Sequence, residues 1–288
     1  MTNSKIFKTF DFGAGELPEN IVVLADGTVC ATLLVAGTVW LSGGGQERVA
    51  PAQTGALAVG LAADSADRLY AAVRSEDGDV TGIWRRAEPG RWARFAAAEA
   101  GAGLNGITFA EDGTLFAADS ERGEILCCPP GQDTLRRWLA DERLTPTSPD
   151  DPVSATGVNG LKVWDGDLWA TNTARGTILR IGLDEGRPGE ITQVHDGLPA
   201  DDFAFDSAGA LYAAVHPRDT VLRIAPDGVR TVLATAADGL DGPSALAVAG
   251  DGLLVTCLGM LGSRHQPSIV HLALDVAAPA LPRPRMPA

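Results

Sequence analysis

Four polar residues occupy the same position in a repeated sequence pattern. They are Glu19, Asn105, Asn159 and Asp201, and each stands just before a short apolar run such as 107–109. Carboxylate and carboxamide oxygens are ligands that hard divalent cations prefer. If the four side chains meet in a buried cavity, the two carboxylates repel each other and the two amides lack hydrogen-bond partners. A cation bound between them would remove both costs. The pattern therefore predicts a metal site with these four residues as ligands.

This ligand set offers oxygen donors and no cysteine or histidine. Calcium is therefore the predicted cation, with manganese, magnesium or zinc as alternatives, and thiolate-bound zinc is excluded. The alternative interpretation is that Asn105-Gly106, Asn159-Gly160 and Asp201-Asp202 only form turns, since Asn, Asp and Gly are frequent turn residues. Turn formation does not require the four residues to share one position of the repeat, which favours the metal site.

Further polar residues end the apolar run that follows each of these positions. If that second run pairs antiparallel with the first, its last residues return to the same end of the molecule. His216 is the histidine best placed to move a proton near neutral pH, although a lone histidine is more often structural. We therefore predict Asp201 and His216 as catalytic residues. The predicted substrate contacts are Asn105, Arg74, Asp119, Asn172, Asp202 and Ser244, of which Asp119 and Asn172 would equally suit hairpin turns.

The elements that position these residues are indicated by the repeat itself. An apolar run, a turn with Asp-Gly or a similar pair, and a second apolar run recur in six copies, from 21–32 to 245–256. Third and fourth strands follow most copies, as at 220–224 and 229–233. Four strands per repeat of roughly 40 to 50 residues suit a β-propeller blade, since each twisted sheet buries its faces only against its neighbours. The sequence predicts an all-β, six-bladed β-propeller with four antiparallel strands per blade; a β-sandwich would not explain the period.

The two ends of the chain have separate predicted roles. The segment 6–10 is expected to supply the outer strand of the sixth blade beside 268–272, which closes the ring and removes an open sheet edge. Residues 1–276 are predicted to form this single propeller. The proline-rich segment 277–288 is predicted to be a disordered tail.

One insertion and one group of aromatic residues are expected near the predicted ligands. The insertion 141–156, between the third and fourth blades, is predicted to lie as a flap over the ligand end of the channel. Trp164, Trp169 and Phe203 are near the ligands in sequence and are expected to make that end apolar.

Composition excludes several classes of partner. The chain has 288 residues, 45% of them hydrophobic, and a net charge of −14, which disfavours nucleic acid and anionic membrane surfaces. No apolar run approaches the roughly 18 residues of a membrane span, and no secretory signal is evident, so we expect a soluble, cytoplasmic protein. The four cysteines lack metal-binding spacing and are predicted to be reduced core residues. The expected partner is a small-molecule substrate, and the oligomeric state is left open.

The motifs resemble those of the gluconolactonase family that includes regucalcin, the senescence marker protein. The similarity extends from about residue 15 to residue 275, and its most specific pieces are 18–20, 105–106, 157–161 and 201–206. It implies one divalent cation at the head of a propeller channel, held by Glu19, Asn159 and Asp201. It further implies that Asn105 is a ligand or substrate contact and that Asp201 acts as a base.

Two departures from the family pattern matter for the predicted function. Asp202 stands where the family commonly has Gly, Ser or Asn, so either Asp201 or Asp202 could face the metal, with spacing favouring Asp201. The arginine-rich segment that grips sugar acids is not found, and Arg74 is its only substitute. A hydrophobic lactone or ester is thus favoured over a sugar lactone.

The predicted function is that of a divalent-metal-dependent hydrolase that opens a lactone or cyclic ester in the central channel. Two alternatives stay open. One is a non-hydrolytic isomerase, cyclase or condensing enzyme of secondary metabolism that uses the same metal pocket. The other is a binding propeller without catalysis, although such a protein has no need of carboxylates that face the channel.

Overall fold

Six four-stranded antiparallel sheets form the fold and are arranged around a central channel. The computed structural model describes residues 3–250, 252–260 and 264–274. In five sheets the strands follow chain order from the channel outward, so the predicted six-bladed β-propeller is confirmed. The strands are β1 (Asn3–Thr9), β2 (Pro18–Val23), β3 (Val29–Leu33), β4 (Thr38–Leu41), β5 (Gly45–Arg48), β6 (Leu57–Ala63), β7 (Leu69–Arg74), β8 (Gly82–Glu88), β9 (Arg91–Ala97), β10 (Leu104–Phe109), β11 (Leu115–Asp119), β12 (Glu124–Cys128), β13 (Arg136–Ala140), β14 (Val158–Trp164), β15 (Asp167–Asn172), β16 (Thr177–Asp184), β17 (Arg187–His195), β18 (Phe203–Phe205), β19 (Leu211–Val215), β20 (Thr220–Ile224), β21 (Arg230–Ala234), β22 (Pro243–Ala249), β23 (Gly252–Cys257) and β24 (Ser268–Ala273).

The ring is closed by the first strand of the chain. Blades 1 to 5 are β2–β5, β6–β9, β10–β13, β14–β17 and β18–β21, and blade 6 consists of β22, β23, β24 and β1. The first strand pairs antiparallel with β24, with Lys5 opposite His271, as predicted. Residues 275–288, which include the predicted tail at 277–288, lie outside the described residues. Short 3₁₀ helices occur at Ala52–Thr54, Glu142–Leu144, His216–Arg218 and Ala236–Asp238.

Adjacent blades are held together by apolar clusters. Each of the six interfaces between neighbouring blades of the described chain contains one such cluster of buried residues. The four cysteines are free and buried within these contacts, as predicted. No helix among the described residues is long and apolar enough to cross a membrane.

A β-bulge in the innermost strand sets the direction of the predicted ligands. The strand pairing shifts by one residue in β2, β10 and β14, so that two residues oppose one on the neighbouring strand. Such a bulge re-aims a side chain relative to regular pairing. Glu19, Asn105 and Asn159 lie within these bulges, and all three face the channel.

The glycine after each asparagine is required by the next blade. A Cβ atom at Gly106 would lie 2.5 Å from the carbonyl oxygen of Asn159, and one at Gly160 would lie 2.8 Å from Asp202 Cα. Both glycines are inside strands β10 and β14. The Asn-Gly pairs therefore serve close packing between blades, and the alternative that they form turns is wrong.

Candidate functional site

A cavity of about 200 Å³ lies at the end of the channel where the innermost strands begin. We call it the upper cavity. The four predicted metal ligands line it, and each comes from a different blade, so only the closed ring brings them together. The predicted ligands Glu19, Asn105, Asn159 and Asp201 are joined there by Arg74 and His216.

Glu19 is a buried carboxylate with an unused oxygen. The residue is 6% exposed, and its Oε2 atom has no hydrogen-bond partner in the described part of the chain. Burial raises the pKa of Glu19 well above its usual value, and the nearby charges of Asp201 and Asp202 raise it further. Arg74 and Lys162 oppose this effect. A proton or a cation at Glu19 would relieve the electrostatic cost.

Asp201 lies at the centre of the polar contacts in the upper cavity. Asn159 Nδ2 donates a hydrogen bond to Asp201 Oδ1 at 2.6 Å, and His216 Nδ1 lies 3.3 Å from Asp201 Oδ2. The other imidazole nitrogen, Nε2, is buried with no hydrogen-bond partner among the residues that the structure describes, and a Cβ atom at Gly242 would lie 3.0 Å from it. His216 thus lines the cavity and contacts Asp201 through Nδ1. Of the two predicted catalytic residues, Asp201 is the better placed to contact a substrate.

A threonine hydroxyl fixes the orientation of the Asn159 amide. Thr173 Oγ1 donates its one proton to the carbonyl oxygen of Ala200 at 2.8 Å, so it can only accept a hydrogen bond from Asn159 Nδ2, at 3.0 Å. Ser120 holds Asn105 in the same way at 3.1 Å, and donates its proton to a backbone carbonyl of blade 4. Each Oδ1 atom is then left free for a ligand.

The sequence placed both hydroxyl residues at this mouth of the channel beside their neighbours but did not single them out as contacts. It selected Asp119 and Asn172, the residues that immediately precede Ser120 and Thr173. The available signal was a hydroxyl residue at the same position after the second strand of blades 3 and 4, the two blades that carry asparagine in the innermost strand.

Replacing Thr173 with valine is expected to weaken calcium binding by about 10- to 100-fold, as for other groups that orient metal ligands. The valine cannot accept the Asn159 hydrogen bond, so the amide is free to rotate. Isothermal titration calorimetry measures the effect. The control is Thr177→Val, because Thr177 Oγ1 is buried with no partner among the described residues. Equal calcium affinity in both variants would contradict the orienting role.

Asp202 is turned away from the upper cavity. Lys162 Nζ contacts its two oxygens at 2.6 and 2.7 Å, and Asn20 Nδ2 donates to Oδ2 at 3.4 Å. Burial raises the pKa of Asp202, and the Lys162 charge opposes that shift. The structure thus separates the two neighbouring aspartates, with Asp201 facing the predicted ligands and Asp202 held in an ion pair.

Three other predicted substrate contacts lie in the walls between blades, outside the upper cavity. Asp119 accepts hydrogen bonds from the backbone of Gly103 and Arg122. Asn172 donates to two carbonyls at the base of the flap. Ser244 donates to a backbone carbonyl of blade 1. Their contacts are structural, so the expectation that they line the pocket with Arg74 and Asn105 is corrected.

Arg74 lines the upper cavity, as predicted from its position at the end of β7. Its Nε donates to the carbonyl oxygen of Leu104, and its Nη1 lies 3.6 Å from a carboxylate oxygen of Glu121. Burial lowers the pKa of Arg74, and the charges of Glu121 and Glu19 oppose this effect. The guanidinium is therefore fixed at the cavity wall.

A larger cavity, of about 490 Å³, opens at the opposite end of the channel. We call it the lower cavity; Asn20, Lys162 and Phe205 are among its lining residues. Trp164 and Trp169 pack on Phe205, so they belong to this end. The expectation that they lie near the predicted metal ligands is wrong. Asn159 is the second residue of β14 and Trp164 is its last, so most of the length of the strand separates them. Phe203 packs on the same ring.

The upper cavity fits a hard divalent cation. Among the described residues, no group of three or more His, Cys, Asp and Glu side chains is suited to hold a metal. The donors in the cavity are two carboxylates and two amides, and the buried Oε2 of Glu19 has no partner within the described part of the chain. Glu19 and Asp201 carry two negative charges when both are ionised, which a dication would neutralise. The donor chemistry is that of calcium, magnesium or manganese sites.

Metal-free protein is expected to lose stability as the pH rises from about 4.5, the ordinary pKa of glutamate. Because the folded-state pKa of Glu19 is raised, the folded protein binds more protons than the unfolded chain in this range, and its free energy of unfolding falls with pH. A calcium ion bound at Glu19 would replace the proton, so the gain in Tm from calcium over chelator should grow with pH. Differential scanning calorimetry measures this difference. In Glu19→Gln the gain in Tm from calcium should no longer increase with pH. A pH-independent gain in the unmodified protein would refute the assignment of Glu19 as a ligand.

Known structures share this fold. No protein-family model matches the chain, and no curated protein matches it. Regucalcin from Agrobacterium tumefaciens, described as a calcium-binding protein, has a TM-score of 0.68 and 18% identity over 98% of both chains. A gluconolactonase from Xanthomonas campestris has a TM-score of 0.63 and 19% identity over 90% of this chain and 86% of that one. A luciferin-regenerating enzyme has a TM-score of 0.72 and 12% identity over 99% of this chain and 100% of that one.

These similarities define the class of protein by its fold. The chain is a six-bladed β-propeller, as its structural neighbours are. Gluconolactonase and regucalcin, the proteins that the sequence resembles, are among those neighbours, so the predicted resemblance is confirmed by the fold.

Proposed function

We propose that this protein is a divalent-metal-dependent hydrolase that opens a small lactone or other cyclic ester in the upper cavity. The observation that carries the proposal is the meeting of Glu19, Asn105, Asn159 and Asp201, from four blades, around a buried carboxylate oxygen that has no described partner. The gluconolactonase activity of one structural neighbour supports the choice of reaction. Calcium is the proposed cation, and a small molecule is the proposed partner.

The four ligands would hold the cation through the carboxylates of Glu19 and Asp201 and the Oδ1 atoms of Asn105 and Asn159. When bound, a divalent cation supplies a Lewis acid that polarises the ester carbonyl. The two hydroxyls that fix the asparagine amides keep these oxygens in place without reorganisation during the reaction.

Asp201 is the proposed base. Its carboxylate takes a proton from the attacking water, whose oxygen forms a bond to the carbonyl carbon. His216 Nδ1 donates to Oδ2 and holds the carboxylate in position. The ring C–O bond then breaks, the leaving alkoxide takes up the proton from Asp201, and the product is a hydroxy acid. Arg74 provides a positive charge at the wall against which the new carboxylate can lie.

A lactone panel assayed with calcium and with chelator tests the proposal. Hydrolysis that requires the cation and gives products heavier than the substrate by one water is the expected result. A product of unchanged mass would favour the isomerase or cyclase alternative. No turnover with calcium, manganese, magnesium or zinc would contradict a lactone hydrolase.

A further inference from the structure

The wall of the upper cavity above the proposed ligands is apolar. The apolar side chains that line it include Leu34, Leu57, Val59, Leu258 and Met260. Met260 is 42% exposed although it borders the cavity, so its side chain is available for contact. A substrate that enters the cavity must therefore place most of its surface against hydrocarbon.

Few polar groups on this wall are available to a substrate. The hydroxyl of Thr156 donates to the carbonyl oxygen of Pro152, and that of Thr173 donates to Ala200. Among the described lining residues outside the proposed ligands, Arg74 and His216 are the remaining polar side chains, and His216 Nδ1 is directed at Asp201. A sugar lactone carries a hydroxyl on most ring carbons, and burying these without partners is unfavourable.

The flap at 141–156 completes the apolar wall and is braced by hydrogen bonds within its tip and at its base. Pro152 and the half-buried Val153 line the cavity. Asp151 Oδ1 accepts hydrogen bonds from the backbone of Val153 at 3.0 Å and of Ser154 at 3.1 Å. Asn172 ties the base of the flap to blade 4. The apolar contact surface is thus preformed, which limits the ordering cost of binding.

We infer that the substrate is a small lactone with an alkyl substituent, and that the flap residue Val153 contacts the alkyl group. The inference rests on the proposed function, in which the lactone ring lies beside the four proposed metal ligands. A cavity of about 200 Å³ is smaller than those that hold drug-sized ligands, so the ring and a short chain fill it. Polyhydroxylated lactones are poor substrates of this site.

The test compares δ-valerolactone, its 6-alkyl derivatives and D-glucono-δ-lactone at saturating calcium. We expect kcat/KM to rise by about fourfold per methylene until the cavity is full, from the transfer of each group out of water. D-glucono-δ-lactone should be slower than the best alkyl lactone by about 100-fold or more. Val153→Asn should lower kcat/KM for the best alkyl lactone by about tenfold more than for δ-valerolactone, which has no alkyl group to contact Val153. The control is Val35→Asn, because Val35 is 54% exposed and lies outside the cavity.

A binding measurement separates this inference from the proposed function. The 6-alkyl δ-lactams are not turned over, so calorimetry measures their binding alone. They should bind more tightly as the alkyl chain lengthens, and Val153→Asn should weaken the binding of the best lactam by about tenfold. Equal kcat/KM for D-glucono-δ-lactone and alkyl lactones would overturn the substrate class and leave the hydrolase intact. Lactam binding that depends on chain length and on Val153, without hydrolysis of any lactone, would overturn the hydrolase and retain the ligand class. Neither hydrolysis nor lactam binding would overturn both.

Discussion

The Asp201→Asn variant is expected to lose about 10³-fold in kcat/KM for lactones, the size typical of a removed general base. Asparagine preserves the shape of the side chain but cannot take a proton from water. It also removes one of the two negative charges that face the proposed cation, so calcium binding should weaken as well. Initial rates across calcium concentrations separate the two effects, because saturation with calcium restores binding but not the base.

The matched control for this variant is Asp227→Asn, an aspartate on an exposed turn of blade 5. It should leave kcat/KM and calcium affinity unchanged. A thermal melt of the Asp201 variant checks that the propeller is intact. If Asp201→Asn with bound calcium retained kcat/KM within about threefold, the assignment of Asp201 as the base would be wrong.

Lys162→Met is expected to destabilise the protein by about 3 to 5 kcal/mol, the usual cost of removing one partner of a buried ion pair. Asp202 is 3% exposed, and without Lys162 the side-chain partner that it keeps among the described residues is the amide of Asn20 at 3.4 Å. The unpaired carboxylate would also add to the negative charge that already acts on Glu19. Urea denaturation at neutral pH measures the loss.

A second substitution tests the cause of that loss. Adding Asp202→Asn to Lys162→Met removes the unpaired charge, so the double variant should recover most of the stability. Its calcium affinity should stay within about threefold of the unmodified protein, since Asp202 is proposed to be structural. A double variant as unstable as Lys162→Met would contradict the ion-pair explanation. Loss of calcium binding in the double variant would show instead that Asp202 is a ligand.

The fold was predictable because its information is local and repeated. Alternating apolar runs and Asp-Gly type turns in six copies specify strands and hairpins one blade at a time, and a blade buries its faces only against similar blades. The position shared by Glu19, Asn105, Asn159 and Asp201 could be found for the same reason. Equivalent residues of a repeat lie at equivalent heights in the ring, and bulges keep Glu19, Asn105 and Asn159 directed at the channel.

Other residues could not be assigned from the sequence because their direction depends on neighbouring blades. Adjacent residues of a strand point to opposite sides, and a bulge changes which one faces the channel. Asp119 and Asn172 were therefore predicted as pocket residues, whereas the hydroxyls of Ser120 and Thr173 make the contacts with the asparagine amides.

By itself, the sequence determined the propeller, its closure by β1 and the set of oxygen donors at one end of the channel. Only the tertiary structure decided which aspartate faces those donors. Lys162, 40 residues away, pairs with Asp202 and leaves Asp201 to His216 and Asn159. The tertiary structure also placed Trp164 at the opposite end of the channel. The physical reason is that a repeat fixes the position of a residue within its blade, while the direction of a buried charge is fixed by the partner that an adjacent blade brings to it.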